Sequence, residues 1–452
     1  MLARVATRIP EERPDRLVDE VAVRAPAFVA GILSIGALAW FLWRLGFGAA
    51  GVLASWLLAL HPWALRYLSE ARGYSLAMLL GSLALVAGIA ALHHGRWRRW
   101  LGFGLAQFLL LWNLPSTLWF VVLLNLAILA SILGLHRGEG RRVPLTRWAL
   151  ANGFGAMLWL PLMAPNVPQL LSYLARNKRD WVGPGWPSKI ASHLTVGMDW
   201  QVGGAPHYPE LATRYAGEPM LVGAILAVAA LLLVLGAMRL WRTGGLARNL
   251  LWVLLLPLPL TYLQVWWSQD RTYIWYFVFF LPGVLALTAL GVAGLAGLVP
   301  ERRRTLAGVA IGAVFLAAIT WLGTPAREAL RTRAYYPVRD SVLLTRPNLD
   351  PRSPENERIL TASWSGQAVY YDPRVRGLRT VEELLALMAQ ADEQGAPLFV
   401  NLGRPRMAAA RAPESFAVVE DPERFERVGV LRGFLPPRTR YVYRYLGADG
   451  RR

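Results

Sequence analysis

Apolar residues in this chain come in blocks rather than at spaced positions. Reading along, the blocks fall at about 26–44, 47–65, 73–92, 100–114, 116–135, 147–164, 219–238, 247–267, 272–298 and 305–323. Each is about 15–27 residues long, and about 20 apolar residues suffice to cross a hydrocarbon core as a helix with its backbone groups satisfied internally. The pattern predicts a mainly α, polytopic transmembrane protein of about ten spans. Trp100 to Leu114 is the shortest block. After Gly323 the pattern changes: charges of both signs become frequent and no spanning block recurs. There Thr380 stands three residues before Glu383, a capping box ahead of an apolar-periodic run that stops at Gly395. Strand-like runs surround it, RILTASW before, PLFVNLG directly after and TRYVYRYL near the end. Helix between strands predicts a small α/β domain. The chain thus reads as a polar segment 1–24, a membrane domain 25–323 with a long loop at about 165–218, and a C-terminal domain 324–452.

Charge orients the spans. The 452 residues hold 48 Lys and Arg against 29 Asp and Glu, a formal net charge of +19. Almost all of the basic residues are arginine, Lys178 and Lys189 being the exceptions. Because they sit between spans, they read as topology-setting loops, and no nucleic-acid partner is expected. The loops 93–100 (HHGRWRRW), 136–147 (HRGEGRRVPLTR), 239–248 (RLWRTGGLAR) and 301–304 (ERRR) are short and basic, and so cytoplasmic by the positive-inside rule. The loops alternating with them, 66–72, 113–116, 165–218 and 268–271, together with everything after Gly323, then face outward. The same count places the N-terminus outside, which points to a further helix upstream. No cleavable signal peptide is visible in residues 1–24. The chain has no cysteine, so disulfides and thiolate metal sites are excluded.

No span carries Asp, Glu, Lys or Arg near its middle, which argues against an ion-coupled transporter or channel. Unexplained polar residues gather instead at the outer ends of helices. The densest run is His61-Pro62 followed by Arg66-Tyr67-Leu68-Ser69-Glu70-Ala71-Arg72-Gly73-Tyr74. It reads either as an interfacial belt with internal ion pairs, or as a site for a lipid-borne phosphate. In the second reading Arg66 and Arg72 supply charge-assisted donors and Glu70 fixes an arginine or a substrate hydroxyl. A second cluster, Gln269-Asp270-Arg271-Thr272-Tyr273, heads the ninth block and supplies another acid and another phosphate partner, or is a short anchored loop. In the long loop, PQLLSYLAR (168–176) suits a helix lying in the membrane interface, or a plain connector.

The run HPWALRYLSEARGYSL resembles the "P…yy.qEaR.Y.l" signature of the dolichyl-phosphate-mannose protein mannosyltransferase-like family, which includes the lipid A aminoarabinose transferases, in the GT-C class of membrane glycosyltransferases. Pro62, Tyr67, Glu70, Arg72 and Tyr74 fall on its positions, with Gly73 where the family often has Met. Upstream, Arg24 and Pro26 resemble the start of the family's second helix; downstream, Arg271, Tyr273 and Pro282 resemble its "RYl…lP…lLlA.G" helix, so that the resemblance covers roughly residues 16–298. It implies a GT-C fold and a polyprenyl-phosphate-linked sugar as donor, with no tightly bound cofactor. It also implies inverting transfer to an extracytoplasmic protein, lipid or glycan acceptor at a bacterial inner membrane; a divalent cation is compatible with it. The expected site residues, from the clusters and the resemblance together, are Glu70 and Asp270 as carboxylates, and Arg66, Tyr67, Arg72, Tyr74, Arg271 and Tyr273 around the lipid phosphate. The family's catalytic Asp follows a first helix that this chain does not display, and Asp15, Asp19 and Glu20 lie too close to Arg24 to match it. A chain start internal to a longer gene is the expectation drawn from that gap. The rival reading is a non-catalytic membrane protein that binds a lipid-linked saccharide or a protein partner.

Overall fold

The computed structural model of the chain describes residues 20–135, 138–176, 182–199, 218–268, 272–334, 336–346, 348, 353–364, 367–368, 371–434 and 438–447. It divides into two units, one of Arg24–Gly203 with Glu210–Ala326, the other of Arg327–Arg452 with Met1–Val23 and Gly204–Pro209.

The first unit is helical: α1 Glu20–Arg44, α2 Gly48–Leu60, α3 Pro62–Ser69, α4 Tyr74–His94, α5 Trp97–Asn113, α6 Leu118–Leu135, α7 Arg142–Met163, α8 Val167–Arg176, α9 Trp186–Val196, α10 Pro219–Thr243, α11 Gly245–Leu255, α12 Pro257–Trp267, α13 Leu281–Ala296 and α14 Glu301–Leu322. Among the described residues seven helical stretches are long and apolar enough to cross a membrane, or eight if the bent pair α2–α3 is one span. Helix forms in each of the ten expected blocks, and seven or eight of these stretches pass on length and apolarity alone. The helix α5 forms but has 17 residues. The 22-residue α7 forms too, but its N-terminal arginines and internal Asn152 dilute its apolar content.

Proline accounts for the breaks. A proline inside an α-helix donates no hydrogen bond and crowds the carbonyl four residues back. At Pro62 the chain bends by 63° between α2 and α3. Pro257 separates α11 from α12. Pro282 lacks the N–H that would reach the Val278 carbonyl, and Leu281 N–H bonds that oxygen instead. The stretch Ile274–Phe280 ahead of it is accordingly a 3₁₀ helix, where a continuous α-helix over 272–298 was expected.

Outward faces carry large exposed apolar side chains such as Trp43, Leu231, Val234 and Leu306, as expected where the surrounding solvent is hydrocarbon. Inward packing is close where small residues meet. A Cβ added at Gly236 on α10 would strike the Leu287 carbonyl, and one at Gly291 on α13 would strike the Leu232 carbonyl, so the two backbones touch from both sides. Close approach through small residues is a common basis of helix association in membranes. Polar cross-links supplement it: Asn125 amide bonds Gln107, Trp148 indole N–H donates to Asn125 at 3.0 Å, and Asn249 donates to Ser131 at 2.9 Å.

The second unit is built on a five-stranded sheet of order β2-β1-β3-β5-β4, with β1 Leu360–Ser363, β2 Arg376–Gly377, β3 Leu398–Gly403, β4 Phe425–Leu431 and β5 Arg440–Tyr445. The strands β1, β2 and β3 are parallel; β5 is antiparallel to β3 and to β4. Helices α15 Val338–Leu343, α16 Val381–Gln394, α17 Pro405–Arg411 and α18 Pro413–Glu420 complete it. The expected capping box is present, Thr380 and Glu383 each accepting from the other's backbone, and α16 ends at Gly395 with φ 61°. Leu384, Leu387, Leu398, Val400, Leu402 and Tyr443 form the core on one face of the sheet. The protein is a multi-pass helical membrane protein with a small α/β unit.

Candidate functional site

The bend at Pro62 creates the site. His61 ends α2 and caps α3: its Nδ1 accepts the Trp63 N–H at 3.2 Å. That bond puts the ring proton on Nε2, which donates to the Leu194 carbonyl of α9 at 3.0 Å. His193, one residue earlier, packs its ring 5.1 Å from that of Trp63 and donates from Nδ1 to the Lys189 carbonyl at 2.8 Å. Burial pushes its imidazole down to about 3, the Arg66 charge adding to the effect against the Lys189 carbonyl, so it stays neutral. A short helix from the long loop is thus seated on the broken helix, a contact with no signal in the sequence.

The four-residue link between α3 and α4, Glu70 to Gly73, carries the charge. Arg66 Nε donates to Glu70 Oε1 at 2.7 Å, with its side chain only 4% exposed. Arg72 Nε lies 3.4 Å from Glu70 Oε2 and is 39% exposed. Arg72 N–H bonds the Glu70 carbonyl at 2.7 Å, a tight turn that brings the two side chains onto one side. One carboxylate faces two guanidiniums, leaving one net positive charge. Gly73 follows, and Asn113 at the end of α5 donates to its carbonyl at 2.7 Å. The Asn113 side chain occupies the space that a Cβ on Gly73 would need.

Aromatic rings line this turn. Tyr67, fully buried, lies 4.8 Å edge-on from Tyr74, and Tyr74 lies 6.3 Å from Tyr276. Tyr273 stacks on Trp275 at 4.2 Å and 10°. The Arg72 guanidinium sits 5.6 Å from the Trp275 ring. The start of the 3₁₀ helix therefore comes to the Glu70–Arg72 turn, and it brings Tyr273, at the described end of the second cluster, with it. Of the eight sequence-predicted residues, Arg66, Tyr67, Glu70, Arg72, Tyr74 and Tyr273 are together here. Asp270 and Arg271 lie outside the described residues. Trp275, Tyr276, His193 and Asn113 were not anticipated; the first two carried a faint signal as neighbours of Tyr273. The amphipathic stretch 168–176 is helical, as α8. Among the described residues no three His, Asp or Glu side chains gather as metal ligands.

No family model matches the chain, and no curated protein does. Among solved structures it is similar to ArnT from Cupriavidus metallidurans bound to undecaprenyl phosphate, with 13% identity, 98% of this chain and 86% of that one covered, and a TM-score of 0.47. The same protein in the apo state gives 14%, 93%, 83% and 0.44. Arabinofuranosyltransferase AftD from mycobacteria gives 18% identity over 95% of this chain but 34% of that one, at a TM-score of 0.42.

Proposed function

We propose that this protein is a membrane glycosyltransferase of the GT-C class that moves a sugar from a polyprenyl-phosphate donor to an extracytoplasmic acceptor, with inversion. The observation that carries the reading is the Arg66–Glu70–Arg72 turn with its aromatic lining, which falls on the residues that resemble the family signature. A charged turn with a half-exposed guanidinium beside apolar rings suits a phosphate whose tail lies in the bilayer. In the reaction the acceptor oxygen attacks the anomeric carbon, the bond from that carbon to the phosphate oxygen breaks, and its electron pair leaves with the lipid phosphate. Arg72 meets the growing charge on that phosphate, with Arg271 as a further partner. Glu70 orients both guanidiniums, and Asp270 is the carboxylate assigned to take the acceptor proton. The small α/β unit is placed on the acceptor side of the membrane.

Substituting Arg72→Ala in the full-length protein is expected to lower transfer from polyprenyl-phosphate sugars by about 100-fold or more, with membrane insertion intact. The assay measures label passed to membrane acceptors; undiminished transfer overturns the assignment. A second reading is favoured by the pairing of Glu70 with both arginines, which occupies the one described acid of the site. In it the chain binds a lipid-linked saccharide without turnover. Retention of polyprenyl phosphate with no transfer for any sugar donor would select it.

A further inference from the structure

The second unit contains a buried cation, Arg440, with no counter-charge among the described residues. Arg440 opens β5 and is 2% exposed. Its partner in the ladder is Gly403, the last residue of β3. A Cβ at Gly403 would stand 2.9 Å from Arg440 Nη1 and 3.2 Å from its Cζ, so the guanidinium lies flat over the glycine. That missing side chain lets Arg440 cross β3 and reach β1, where Nη2 donates to Ser363 Oγ at 3.3 Å. Its Nε is buried with no hydrogen-bond partner, and no carboxylate pairs with it among the described residues. Burial first, and then the charge of Arg404, push the guanidinium down to about 10.

Two more arginines stand at this edge. Arg404 leads from β3 into α17 in the left-handed region, φ 57°, a conformation that costs energy for a side chain other than glycine and recurs at ligand sites. Its guanidinium lies 5.3 Å from the Tyr336 ring, and that of Arg438 lies 4.4 Å from the same ring. Arg404 also donates to the Tyr336 hydroxyl. Asn401 shares the sheet face with Arg440: its amide donates to the Ser341 carbonyl at 3.0 Å, and its Oδ1 is buried without a donor. The group sits at the carboxyl ends of the parallel strands β1 and β3, where open α/β sheets commonly take ligands.

We propose that Arg440, Arg404, Arg438 and Ser363 form a binding site for a phosphate monoester group, separate from the membrane turn. A phosphate supplies the acceptor oxygens that Arg440 lacks, and guanidinium forks match its geometry. In its singly protonated form, with a second pKa of about 6, it also offers the donor that Asn401 Oδ1 lacks. The rim residues Gly403, Arg404 and Arg438 are half-buried, which leaves the site reachable.

The test uses the full-length protein in detergent carrying Arg72→Ala, so that the exposed arginine of the membrane turn does not contribute. Equilibrium dialysis against radiolabelled orthophosphate is one arm; a polyprenyl phosphate presented in nanodiscs is the other. Binding in either arm that weakens by about tenfold or more on Arg438→Gln, and on Arg440→Gln where that variant folds, supports the site. Binding in both arms marks a free or soluble phosphate ester, and binding only in nanodiscs marks a lipid headgroup. No binding in either arm, or binding unchanged by Arg438→Gln, overturns it. Neither of these results touches the proposed transfer reaction, whose residues lie in the other unit.

Discussion

A carboxylate held between two guanidiniums fixes where both of them point. Glu70 spends one oxygen on Arg66 at 2.7 Å and turns the other toward Arg72 at 3.4 Å, so its contribution is positional. What sets the turn's shape is a residue with no side chain at all. Gly73 has an ordinary φ of −71°, and its importance is space rather than backbone freedom. Asn113 fills the volume that a side chain at position 73 would need. Gly73→Met is therefore expected to displace Asn113 and shift Arg72, and a displacement of about 1 Å at a reacting group can cost about 100-fold in rate. Transfer assays should show that loss, and Asn113→Ala in the same chain should restore part of it. Transfer unchanged in Gly73→Met would remove this turn from the reaction. The charged run 66–74 was readable in the sequence because its residues are contiguous. Trp275 and His193 were not, because they reach the turn only after distant helices have packed, and nothing local marks them.

Among the elements, sequence reading located the apolar helices well and misjudged their continuity. Composition sees an apolar block at 47–65 and another at 272–298; only the proline positions reveal the 63° bend and the 3₁₀ stretch within them. In the α/β unit the three apolar strands were recognisable. The strand β4 was missed because its exposed, charged sequence FERVGVL offers no apolar alternation. The helix pair α10–α13 carries the strongest packing constraint. Gly291→Val sets a branched side chain against the Leu232 carbonyl, and overpacking of this kind costs about 1–3 kcal/mol or more. A lower midpoint of thermal unfolding in detergent is expected. Gly223→Val on α10, where nothing lies within 4 Å of an added Cβ, serves as the neutral control.

For the whole molecule, the sequence carries both an expected direction and an expected number of spans. Ten blocks were counted, whereas seven or eight helices meet the requirements of length and apolarity among the described residues. The helices α5 and α7 fall outside that count, α5 for its 17 residues and α7 for its polar content. The orientation rests on arginine-rich loops, and the absence of cysteine makes it directly measurable. In right-side-out vesicles a membrane-impermeant maleimide is expected to label Glu355→Cys at once and Arg98→Cys only after permeabilisation. The reverse pattern would invert the protein and put the proposed acceptor on the other side.

The 3₁₀ stretch also has a mechanical meaning. Its seven residues rise about 2.0 Å each, against about 1.5 Å in an α-helix. Rewinding them would shorten the segment by about 3.5 Å. The far end cannot give, since α13 is locked to α10 at Gly291. All of that travel would emerge at Tyr273, just ahead of the stretch, and most of it at Trp275, drawing the indole away from Arg72. The segment is a store of slack beside the Glu70–Arg72 turn, with a fixed stroke.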